Sequence, residues 1–146
     1  PYGIWIEDGK VKFYEQEINQ DGNTGGSITN LFETENYTLL DCYKLSTLMK
    51  KNNHSKIDVI KLDIEGACIE VMNNFLKDNI LPNQIVAEFE YSETDNIDEK
   101  DFVIWSNKVK KIITHLREKD FKCYNLPRYS HIPYSTIEVL FVKKSI

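Results

Sequence analysis

Between Lys56 and Val71 the chain reads KIDVIKLDIEGACIEV, and no other stretch restricts its fold as tightly. Ile57 and Val59 fall on one alternating face of an extended segment, and Ile60, Leu62 and Ile64 on the other. A strand apolar on both faces belongs inside a sheet that helices cover on each side. Gly66 ends the run, and Ile69, Met72, Phe75 and Leu76 follow at helical spacing until the break before Leu81-Pro82. Charge gathers at the end of the strand, in Asp63 and Glu65. Lys61 sits within the run, where burial of its ammonium would demand a carboxylate partner.

The flanking segments extend the pattern. Leu45, Leu48 and Met49 predict a short helix ending near Asn52-Asn53, and QIVAEF from Gln84 to Phe89 predicts a second buried strand. Asp98 is placed to cap a helix whose stripe is Phe102, Trp105, Val109, Ile112, Ile113 and Leu116. Phe121–Tyr124 and Thr136–Val142 are strands with no helix between them, which predicts an antiparallel hairpin at the sheet edge. Helix and strand therefore alternate from Leu45 onward, the mark of an α/β sheet with helices on both faces, in one domain spanning residues 1–146. Ahead of this, GIWIEDGKVKFYEQ suggests two strands folded as a hairpin about Asp8-Gly9. Thr38–Cys42 suggests another strand, and Asn19–Asn30, rich in Gly, Asn, Ser and Thr, reads as a loop.

Composition sets outer limits. A net charge of -5 provides no basic footprint for nucleic acid. No apolar run reaches the ~18 residues that span a bilayer. The three cysteines, Cys42, Cys68 and Cys123, are odd in number and lack any C-x-x-C spacing, so reduced thiols in a cytoplasmic setting are expected.

In an open parallel sheet, ligands bind outside the carboxyl ends of the strands. Asp63 and Glu65 stand at one such end and Glu88 and Glu90 at the next, so adjacent strands would place Asp63 and Glu88 at one pocket. A carboxylate there can act as general base, orient a hydroxyl or offset a cationic cofactor. Two plainer readings stay open: the acids steady the N-terminus of the following helix, or they bind Mg²⁺ or Ca²⁺. His131, with Arg128 and Tyr129, could face the pocket mouth, although a surface position is the simpler expectation. Cys68 reads as a core-facing helix residue, and the glycines from Gly22 to Gly26 as a surface turn and not a phosphate cradle.

The segment IDVIKLDIEGACIEVM closely resembles the signature of the FkbM-type methyltransferases, an Ile-Asp-x-x-Lys-x-Asp-x-Glu-Gly-Ala run forming the fourth strand and its exit. GIWIEDGKVKFY is similar to the stretch after that family's third strand, and IVAEFE to its fifth strand with its glutamate. The resemblance implies a Rossmann-like class I methyltransferase sheet and the cofactor S-adenosylmethionine. It implies O-methylation of a sugar or another small hydroxyl-bearing acceptor. By position, Asp63 and Glu88 would serve catalysis, and Glu65 and Trp5 the cofactor side. The family's glycine-rich first strand has no counterpart in these residues, and Cys68 stands where an acid is usual. The first strands of the sheet would then be absent, exposing an edge through which copies of the chain could associate. A non-catalytic α/β interaction module built on the same fold is the alternative.

Overall fold

The computed structural model describes residues 2–15, 25–31, 33–91, 98–126 and 136–144. His131, Arg128 and Tyr129 fall outside them, as does the glycine at position 22. Eight strands and three helices are present among the described residues: β1 (Gly3–Ile4), β2 (Gly9–Glu15), β3 (Gly26–Ser27), β4 (Tyr37–Tyr43), α1 (Leu45–Lys51), β5 (Val59–Leu62), α2 (Cys68–Lys77), β6 (Gln84–Glu90), α3 (Glu99–Glu118), β7 (Phe121–Asn125) and β8 (Thr136–Lys143). They make two four-stranded sheets, ordered β1-β4-β2-β3 and β5-β6-β8-β7.

The second sheet carries the hydrophobic core. β5 and β6 run parallel, with Leu62 beside Ala87, whereas β8 is antiparallel to both β6 and β7. Side chains alternate across a strand. One face thus gathers Leu62, Ile85, Ala87, Phe89, Val139, Phe141 and Phe121, all buried. Against it pack Ile69, Met72 and Phe75 of α2 and Trp105, Val109, Ile112 and Leu116 of α3, while Leu45 of α1 joins the same cluster. The helical stripes are those expected from spacing, and Asp98 caps α3 by accepting from the amides of Lys100 and Asp101 at 2.9 and 3.1 Å.

The opposite face corrects the expectation of helices on both sides. Among the described residues no helix covers it. Val59 on β5 is 59% exposed and Tyr124 on β7 48%. Among the described residues β5 is also an edge strand and not an interior one, and the Lys61 side chain projects outward, 61% exposed. The apolar run on both faces of β5 therefore does not report enclosure. Only Leu62 among its four residues is buried.

The N-terminal hairpin is corrected as well. β1 pairs in parallel with one side of β4 and β2 antiparallel with the other, so that Gly3 and Gly9 both take register on Cys42. Asp8 does not serve a tight turn. Its carboxylate accepts from the Lys44 amide and the Thr47 hydroxyl, each at 2.8 Å, tying the β1–β2 connection to the start of α1. Those hydrogen bonds hold Asp8 below the usual carboxylate range. Within the segment read as a loop, Gly26 and Ser27 form a short strand beside Glu15 and Tyr14. A Cβ on Gly26 would lie 2.2 Å from the Phe13 ring, so this glycine serves close packing.

Candidate functional site

The two sheets meet at the exit of β5. The backbone leaves Leu62, passes Asp63 and Ile64, and turns at Glu65 and Gly66 with φ of +44° and +80° before α2 begins. Left-handed backbone is costly for any residue but glycine, and the turn is held from three sides. Ser27 Oγ and Thr29 Oγ1 donate to the Glu65 carbonyl at 2.6 and 3.3 Å. The Gly66 amide donates to Glu90 Oε2 at 3.0 Å. The Ala67 amide donates to the Ile64 carbonyl at 3.1 Å. Glycine is required sterically too, because a Cβ at Gly66 would sit 2.8 Å from Thr29 Oγ1.

The reading of Asp63 and Glu65 as caps of the following helix fails on this geometry. The N-cap of α2 is Ala67, which makes no side-chain capping bond, and the acid of the first turn is Glu70. Asp63 instead faces the open side of the sheet, where Lys61 Nζ lies 2.7 Å from its Oδ2. That hydrogen bond raises the proton affinity of the Lys61 ammonium.

Since Leu62 pairs with Ala87 in parallel register, the next residue along each strand brings Asp63 alongside Glu88. The two carboxyl groups are close enough to act on each other's charge. Partial burial first, then the charges of Asp63 and Glu138, push Glu88 up to about 7. A carboxyl with that affinity exchanges a proton near neutrality, the condition for an efficient general base.

A cavity of about 260 Å³ is lined by Asp63 and Glu65 together with Ile4, Phe13, Ile28 and Leu40, and Glu88 stands behind Asp63, outside the lining. Trp5 is not among the wall residues. Its side chain packs on the core and its amide donates to the Tyr43 carbonyl at 3.0 Å, so the neighbouring Gly3 and Ile4 present the N-terminal segment to the cavity. Across the same turn, Gly66, Glu90, Tyr91, Trp105 and Lys108 line a second cavity of about 320 Å³.

Among the described residues, no three His, Cys, Asp or Glu side chains converge as metal ligands. Cys68 is buried, and burial pushes its thiol well above the ordinary range, in keeping with a packing role. No helix among the described residues is long and apolar enough to cross a membrane. Ser27, Thr29 and Glu138 were invisible to sequence reasoning. Ser27 and Thr29 lie 38 and 36 residues from Glu65. Glu138 joins the carboxylates only through the β6–β8 register, which no local motif encodes.

A family model described as "Methyltransferase FkbM domain" matches residues 2–123 of the chain. Comparison with curated proteins and with solved structures returned no match.

Proposed function

The chain belongs to the FkbM methyltransferase family, and on that premise we propose that it transfers a methyl group from S-adenosylmethionine to a hydroxyl of a sugar or similar small acceptor. The observation that carries this reading is the placing of Asp63 alongside Glu88 at the carboxyl ends of two neighbouring parallel strands. That is the position where α/β sheets bind ligands.

The residues present suit the cofactor. The apolar walls of Ile4, Phe13, Ile28 and Leu40 can take a flat ring, and the rim carboxylates can meet hydroxyl, ammonium or sulfonium groups. At about 260 Å³ the cavity accepts one end of such a molecule and not its whole length. S-adenosylmethionine, when bound, supplies a methyl carried on a sulfonium. Held against the walls of Ile4, Phe13, Ile28 and Leu40, it would give that methyl to the acceptor oxygen and leave as a neutral thioether. Glu88 takes the hydroxyl proton and passes it to water. Asp63, anchored by Lys61, orients the hydroxyl. Alignment supplies most of the rate and the base adds about 10²–10⁴-fold.

Calorimetric titration of the protein with S-adenosylhomocysteine tests the reading. Saturable binding supports it, and no heat at millimolar ligand removes it. That second result would favour the alternative, a non-catalytic module, for which the uncovered sheet face with Val59 and Tyr124 would be the partner surface.

A further inference from the structure

Glu138 on β8 lies directly opposite Glu88 across the antiparallel ladder. Opposed residues in such a ladder carry their Cβ atoms about 4.5–5.5 Å apart on one face. On the other flank of Glu88, the parallel register of β5 with β6 brings Asp63 alongside. Three acids thus stand in a row across three adjacent strands, on the face that no described helix covers. Like charges opposed across a ladder destabilise it, so the row persists best with a proton in it. The middle member feels both neighbours.

Of the other charged groups described near this face, Lys61 is engaged by Asp63 at 2.7 Å, and its charge also reaches Glu88 and Glu138 and offsets part of their repulsion. Glu90 is turned to the Gly66 amide and Glu65 lies in the turn beyond. Lys122 and Tyr124 on β7 stand opposite Val142 and Leu140, farther along β8 from Glu138.

We propose that Glu138 is a positioning residue: by opposing Glu88 across the β6–β8 ladder it makes Glu88 the member of the row that holds and releases the proton. Glu138 takes no proton from the acceptor itself and touches no reacting atom. The inference rests on the methyl-transfer reading for its use, but the coupling between the two glutamates stands apart from it. After burial, the charges of Asp63 and Glu138 both act in the direction of a raised Glu88.

The test follows the Glu88 carboxyl carbon by NMR against pH in glutamate-labelled protein, with E88Q to assign the signal. Glu138→Gln keeps the side-chain shape and removes the charge. The Glu88 midpoint should fall by about one pH unit. Asp63→Asn should lower it as well, whereas Glu118→Gln at the end of α3 should not. In methyl transfer from S-adenosylmethionine to methyl glucoside, the acid limb of the pH profile should move with the midpoint in E138Q. An unmoved midpoint in a folded E138Q protein overturns the proposal, as does an equal shift in E118Q. Because the NMR readout needs neither cofactor nor acceptor, a midpoint that moves without any methylation upholds the coupling and overturns the transfer reading instead.

Discussion

Ser27 donates its hydroxyl to the backbone carbonyl of Glu65 at 2.6 Å, joining a two-residue strand of one sheet to the exit of an edge strand of the other. The same oxygen accepts from the Thr29 amide at 3.1 Å, so one side chain fixes both its own loop and the signature turn. Ser27 is 1% exposed. Its replacement by Ala leaves the Glu65 carbonyl with a poorer partner and should cost about 1–3 kcal/mol of stability. Chemical denaturation would measure the loss, and S-adenosylhomocysteine affinity should fall in parallel because the turn forms the cavity rim.

Gly66→Ala meets two penalties at once, a left-handed backbone at φ +80° and a Cβ 2.8 Å from Thr29 Oγ1. The Thr29 hydroxyl is itself bound to Glu65 and Ser27, so it cannot yield freely. A destabilisation of about 1–3 kcal/mol is expected from the backbone alone. Gly66→Ala in a Thr29→Ser background, which keeps the hydroxyl but drops a methyl, should not recover it. Urea midpoints of the two proteins would decide this.

The raised Glu88 fixes a pH dependence of stability. Its folded value of about 7 exceeds the ordinary 4.5, so the folded chain binds the proton more tightly than the unfolded one. This contribution is whole below the ordinary value and is lost as pH climbs through about 7. Thermal unfolding midpoints should therefore decline between those limits more steeply in the parent than in Glu88→Gln. Equal slopes would show that Glu88 titrates at its ordinary place.

The buried thiols predict selective chemistry. Cys42 and Cys68 are buried and pushed toward the protonated form, whereas Cys123 on β7 is partly accessible. Brief iodoacetamide treatment of the native protein should alkylate Cys123 first, with all three reacting in denaturant. Peptide mass spectrometry reads the order.

Among the described residues β5 ends the second sheet with no strand on its outer side, an arrangement that invites strand pairing. Self-association through this edge is expected, and Val59→Pro, at a position whose amide faces away from β6, should suppress it. Sedimentation at rising concentration would show a shift for the parent and none for the variant. A parent that stays monomeric throughout removes the edge as an assembly surface.

Periodicity carried the sequence reading where packing is one-sided and continuous. The stripes of α2 and α3, the alternation in β6 and the Asp98 cap are local patterns that tertiary contacts reinforce. It failed where a side chain found a distant partner. Asp8-Gly9 has hairpin composition, but Lys44 and Thr47 claim the aspartate. Val59 and Lys61 alternate as buried-strand residues would, yet apolar composition records what a side chain is and not what lies beside it. At the candidate site, the Asp63–Glu88 pairing was legible because each acid ends its own apolar run. The clamp by Ser27 and the opposition by Glu138 depend on which strands become neighbours, and no local spacing announces that.

The seating of β4 between β1 and β2 bears on how the molecule comes into being. Gly3 and Gly9 register on the two sides of Cys42, so neither β1 nor β2 can take its place in the sheet before β4 is available. Such deferred, long-separation pairings are the slow part of folding. The second sheet has a different order of assembly, since α2 and β6 emerge in succession directly after β5. The wall that Ile4, Phe13 and Leu40 give to the cavity therefore depends on β4 seating itself between the two earlier strands.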